Sequence, residues 1–178
     1  MKIICFGDSN TYGYDPRSYL GSRYSADHRW VDIIAAKTDW EVHNDGMNGR
    51  EIPRNAYYFP KDIDLLIVML GTNDLLRGAD PDTVSDRMEF FLMRLSIEKE
   101  NILLIAPPPM QPGAWVQNQS LINASLQLIK EYKILAQRLG IRFVDAGEWG
   151  IPLSFDGVHI SEKGHKIFAE GLLKEIGV

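Results

Sequence analysis

The chain has 178 residues, 45% of them apolar and 24% charged, with 19 Lys+Arg against 24 Asp+Glu and a net charge of −5. That length suits one domain and buries enough surface to need no disulfide or metal staple. Its single cysteine, Cys5, excludes an intrachain disulfide and a cysteine zinc cluster. The acidic balance argues against a nucleic-acid or anionic-membrane partner, and no apolar run approaches the roughly 18–20 residues of a membrane span. The N-terminal apolar stretch, Ile3 to Phe6, is too short for a signal-peptide core. A cytoplasmic protein without stable membrane association is expected.

In chain order, Ile3-Ile4-Cys5-Phe6 is a short apolar run ending at Gly7 and reads as a strand. A helix is expected over Trp30 to Lys37, and a weaker strand over Trp40 to Asn44. Leu65 to Leu70 is a second strong strand, ending at Gly71. Asp80-Pro81 has the form of an N-cap with proline at the first helical position, and Val84, Met88, Phe91, Leu92 and Leu95 follow as one apolar stripe. Ile102 to Ala106 is a strand ending at three prolines. Ile122, Leu126, Ile129, Tyr132, Ala136 and Leu139 form a second helical stripe, stopped by Gly140. Ile141 to Val144 is the last strand, and Ser161 caps a final helix with Phe168, Leu172 and Ile176 on one face.

Continuous apolar runs suit strands covered on both faces, as in a parallel sheet. Five strands alternating with helices predict a three-layer αβα sandwich around a parallel five-stranded sheet. Right-handed crossovers leave few orders, and the flavodoxin-like 2-1-3-4-5 is expected. In such a sheet ligands bind at the carboxyl ends of the strands. Four polar segments fall there: Gly7 to Gly13, Asn44 to Arg50, Gly71 to Asp74, and Asp156 to His159.

These segments, in this order, resemble the four blocks of the SGNH hydrolases, the GDSL esterase/lipase family. The resemblance runs from residue 7 to residue 159, with Asn10 standing where the family name has leucine. It implies one SGNH hydrolase domain over 1–178, a serine esterase acting on a small acyl ester, and no cofactor or metal. The stretch Asn44 to Glu51, with Arg29-Trp30, looks most similar to the arylesterase and acyltransferase-like members.

The chemistry asks for the same residue types. A serine hydroxyl needs a base to become a nucleophile, and a carboxylate must hold that base in the right tautomer. Ser9, His159 and Asp156, three residues before the histidine, fit those roles. The resemblance implies three oxyanion donors: the Ser9 N–H, the Gly49 N–H and the Asn73 side-chain amide. Gly49 follows Asn44 by the family's five positions and is preferred to Gly46, which is read as supplying a positive φ.

Simpler roles are assigned elsewhere. Asp8 is read as structural, Asp74 as a helix cap and Cys5 as a small core residue. His43 is read as packing or surface and His165 as solvated, while His28 lies in a loop long enough to reach the site. No two histidines have a metal-ligand spacing. Two long loops, Tyr14 to His28 and Pro107 to Val116, leave strand ends, where long ordered loops carry function. Tyr12, Tyr14, Tyr19, Tyr24, Met110 and Trp115 are their candidate pocket walls; packing the loops down is the alternative. The competing functions are an acyl-CoA thioesterase or acyltransferase with the same machinery, and a binding protein that keeps the fold without turnover.

Overall fold

A computed structural model describes residues 1–20 and 22–177; Gly21, in the first long loop, and Val178 lie outside the described residues. Five strands form one sheet: β1 (Lys2–Gly7), β2 (Glu41–Gly46), β3 (Leu65–Met69), β4 (Ile102–Ala106) and β5 (Arg142–Asp145). Their order is β2-β1-β3-β4-β5 and every pairing is parallel, as expected. The helices are α1 (Ser9–Tyr12), α2 (Trp30–Lys37), α3 (Thr72–Leu76), α4 (Pro81–Met93), α5 (Gln119–Leu139) and α6 (Glu162–Ile176).

The apolar runs divide by parity, because successive side chains on a strand point to opposite faces. Ile4 and Phe6 of β1, Leu66 and Val68 of β3, and Leu104 of β4 enter one core with Val84 and Met88 of α4 and Leu128 and Tyr132 of α5. Ile3, Cys5, Leu65, Ile67 and Leu103 enter the other with Trp30 and Ile34 of α2 and Phe168 and Leu172 of α6. Both faces are therefore covered, and all polar chemistry is displaced to the strand ends.

Helix ends follow local chemistry. The side chains of Asp80, Asn118 and Ser161 accept from the N–H groups of Thr83, Leu121 and Gly164, satisfying donors that a helix start leaves free. Such caps are worth about 1 kcal/mol each. At the carboxyl edge, the N–H of Met47 donates to the Gly7 carbonyl at 3.1 Å. The loop after β2 is thereby drawn across the end of β1.

Candidate active site

Asp8 caps the short α1, its carboxylate accepting the Asn10 N–H at 2.9 Å, and this turn presents Ser9 at the end of β1. Burial pushes the Asp8 carboxyl up to about 6, against the Asn10 N–H and the charges of His159 and Arg50. The Asp8 carboxylate thus works on the backbone of its own turn, and Ser9 faces a different acid-base pair.

That pair sits between β5 and α6. One oxygen of buried Asp156 accepts the backbone N–H groups of Val158 at 2.9 Å and His159 at 3.0 Å. Its other oxygen lies 2.6 Å from His159 Nδ1. Burial works to raise the Asp156 carboxyl, but the His159 ring and these two N–H groups outweigh it and hold it below its ordinary value. An ionised carboxylate there accepts a hydrogen bond from Nδ1–H and so leaves the lone pair on Nε2. His159 Nε2 lies 3.0 Å from Ser9 Oγ. Ser9, His159 and Asp156 are therefore one hydrogen-bonded chain.

The second and third segments close on the same point. Gly49 takes φ +73°, which disfavours a side chain, and it lines the cleft with Ser9. Asn73, in the first turn of α3, donates one amide N–H to the Arg50 carbonyl at 3.1 Å. Among the described residues, no internal acceptor takes up the N–H of Ser9 or Gly49. Ser9, Tyr14, Asn48, Gly49, Asn73, Trp115 and His159 line a cavity of about 280 Å³.

The long loops contribute unequally. The N–H groups of Gln111, Ala114 and Trp115 donate to the carbonyls of Gly157, Phe155 and Asp156, each at 3.0 Å. This zips the proline-rich loop onto the segment that carries Asp156. Trp115 then stands edge-on to His159 at 5.2 Å between ring centres, and Tyr14 tilts against it at 4.7 Å. Trp115 and Tyr14 are cavity walls. Tyr12 and Met110 are not: the Arg23 guanidinium covers the Tyr12 ring at 4.4 Å, and Met110 is buried against α5, its N–H on Ser125 Oγ at 3.0 Å. Tyr19 is fully exposed and Tyr24 packs on His165.

Other expectations need correction. His165 is completely buried and accepts the Trp30 N–H on Nδ1. It lies on the α6 stripe with Phe168 and Leu172, a spacing that was there to be read. Burial, then the charges of Arg29 and His159, push its imidazole down to about 3. Gly46 does not supply a positive φ; it is required because a Cβ there would meet the Tyr12 backbone nitrogen at 2.1 Å. Asp74 caps nothing on α3. Its buried carboxylate accepts the Ile52 N–H at 3.1 Å and Arg87 at 2.9 Å, fastening the loop after β2 from below. His28 binds Ser25 and Glu162 rather than the site. His43 does lie at the surface, as read, and pairs with Glu41 on the edge strand.

Arg50 was not singled out in the sequence. Its guanidinium lies 4.2 Å from the Phe6 ring centre. It donates to the carbonyls of Gly7, at 3.0 Å, and Asp45, and to the Asp45 carboxylate at 2.8 Å. The planar fork of an arginine thus pins the Gly49 loop to β1. An unexplained cation one residue after the candidate oxyanion glycine was the available signal.

Among the described residues, no cluster of three or more His, Cys, Asp or Glu side chains is placed to hold a metal ion, and no helix is long and apolar enough to cross a membrane.

Fold and polar edge together are those of a hydrolase built on a parallel α/β sheet. The chain belongs to the GDSL-like lipase/acylhydrolase family, the SGNH hydrolases: the family's model matches residues 5–167. Membership makes it a hydrolase of carboxylic esters. A protein provisionally designated an arylesterase, from Agrobacterium tumefaciens str. C58, superimposes with a TM-score of 0.81 at 27% identity over 98% of this chain and 97% of that one. The native aryl esterase of M. smegmatis gives 0.79 at 24% identity, covering 98% and 97%. A carbohydrate acetylesterase from Sinorhizobium meliloti gives 0.77 at 24%, also covering 98% and 97%. These last two likenesses carry the fold. No curated protein sequence matches the chain.

Proposed function

We propose that this chain hydrolyses esters of short acyl groups, acetyl to butyryl, through a covalent acyl-serine. The observation that carries the reading is the chain Asp156 Oδ2 to His159 Nδ1 at 2.6 Å and His159 Nε2 to Ser9 Oγ at 3.0 Å, opening into the cavity.

Ser9 Oγ attacks the ester carbonyl while its proton passes to His159 Nε2. The carbonyl oxygen becomes an oxyanion and receives hydrogen bonds from the Ser9 N–H, the Gly49 N–H and the free amide N–H of Asn73. His159 returns the proton to the leaving alkoxide, and the C–O bond breaks to give alcohol and acyl-serine. Water then attacks the acyl carbon, losing its proton to His159. The intermediate collapses to a carboxylic acid and Ser9 regains its proton. Asp156 stays ionised throughout and stabilises the imidazolium.

A cavity of about 280 Å³ walled by Tyr14 and Trp115 supports a short acyl group. The similar solved structures include aryl esterases and a carbohydrate acetylesterase, and the latter removes an acetyl group. A fluorophosphonate probe tests the reading. Labelling should map to Ser9, and Ser9→Ala should lose both labelling and acetyl-ester hydrolysis, the latter by roughly 10⁶ as for other triads. Retention of more than a few per cent of activity in Ser9→Ala would overturn the assignment.

A further inference from the structure

Asn10 occupies the position that is leucine in the motif for which the family is named. A leucine beside the nucleophile can only pack, whereas this asparagine makes bonds. Its side chain is buried, Nδ2 donating to the Val158 carbonyl at 3.2 Å and Oδ1 accepting the Ile160 N–H at 2.8 Å. Val158 and Ile160 are the two chain neighbours of His159. One amide therefore holds the backbone on both sides of the histidine.

The other end of the link is equally fixed. The Asn10 N–H donates to Asp8 Oδ1 at 2.9 Å, and its carbonyl accepts the indole N–H of Trp30 at 3.0 Å. Asp156 and the Trp115 loop order the histidine segment internally, but neither reaches the turn that carries Ser9. Among the described residues, the only other hydrogen bond between residues 8–13 and residues 153–160 is that of Ser9 with His159.

We propose that Asn10 is a positioning residue that sets the register of Ser9 against His159, by bridging the serine turn to the backbone on either side of the histidine. Removing both bonds leaves the two segments hydrogen-bonded to each other only through the reacting groups. Misplacement on the order of 1 Å at such a contact costs about 10²-fold in rate. The inference rests on the reading of Ser9 and His159 given above.

The test uses the full chain and an acetyl ester. Asn10→Leu, which keeps the number and branching of side-chain heavy atoms, should lower kcat by roughly 10–100-fold with KM within about threefold, at a temperature where circular dichroism shows it folded. A kcat within twofold of wild type, or a loss confined to KM, would overturn the proposal. Asn10→Asp supplies a second readout. A carboxylate still accepts the Ile160 N–H but sets an oxygen against the Val158 carbonyl; a neutral carboxyl donates there again. The ratio of its kcat to wild type should fall as pH rises over about 5.5 to 9. A flat ratio would overturn the proposal even if Asn10→Leu fails to fold. If wild type neither labels nor hydrolyses, the reading of Ser9 fails and takes this inference with it. An active wild type beside an undamaged Asn10→Leu removes this inference alone.

Discussion

The carbonyl of Arg50 accepts one side-chain N–H of Asn73 at 3.1 Å, and Asn73 lines the cavity with Ser9. That bond fixes the amide in place, and among the described residues it is the side chain's one hydrogen bond, so the second N–H stays available to a ligand. A donor aimed before reaction needs no reorganisation when charge develops on the substrate. Asn73→Ala is expected to lower kcat by about 10²–10³-fold, with KM almost unchanged, because the bond strengthens only as the oxyanion forms. Steady-state kinetics on an acetyl ester measure this. A raised KM at constant kcat would place Asn73 in ground-state binding instead.

Asp156→Asn should leave the loop intact, since the asparagine oxygen still accepts the N–H groups of Val158 and His159. It should nevertheless cut kcat on the order of 10⁴-fold, as in other triads. An amide N–H facing Nδ1 imposes the wrong tautomer and gives no support to the imidazolium. Wild-type kcat/KM in this variant would show that Asp156 does not orient the histidine and would return attention to Asp8.

The walls of the cavity predict specificity. An acetyl ester should exceed a decanoyl ester in kcat/KM, because each methylene left unburied forgoes about 0.8 kcal/mol. Trp115→Ala should raise KM by about tenfold with a smaller change in kcat, since an aromatic wall binds ground and transition states alike. Tyr12→Leu, changing a ring that lies under Arg23 outside the cavity, should alter neither constant by more than about twofold. Equal effects at both positions would contradict this placement of the two rings.

His165 makes a prediction about acid stability. Its imidazole is held down to about 3 in the fold, against an ordinary value of 6.5. Below 6.5 the unfolded chain binds a proton that the folded chain refuses, so stability falls as pH drops from 6.5 toward 3. At 1.36 kcal/mol per unit, this histidine alone contributes a loss of roughly 4–5 kcal/mol across that window. His165→Asn retains an acceptor for the Trp30 N–H and removes the titration. Denaturant unfolding over pH 4 to 7 should show a shallower slope for the variant; parallel slopes would remove His165 as the source.

What the sequence determined by itself was the part governed by local periodicity and short spacings. The run Ile102 to Ala106 became β4 to the residue, and Trp30 to Lys37 became α2. Unbroken apolar runs told of a sheet covered on both faces, and right-handed crossovers left few orders, among them the expected 2-1-3-4-5 that the sheet has. That the segments carrying Ser9, Gly49, Asn73, Asp156 and His159 would meet was legible because polar segments following parallel strands gather at the carboxyl edge, while the roles of these residues are those proposed above. Only the tertiary structure decided which way the loop side chains face. Tyr12 and Tyr14 are two residues apart, yet one is covered by Arg23 and the other lies on His159. Met110 and Trp115 share a loop, yet its backbone bonds to residues 155–157 turn only Trp115 toward the histidine. The links of Asn10 to Val158 and Ile160 span some 150 positions, with partners at |i−j| of 148 and 150. Irregular segments have no repeating ladder to orient their side chains, so their direction is set by partners brought near only when the sheet has assembled.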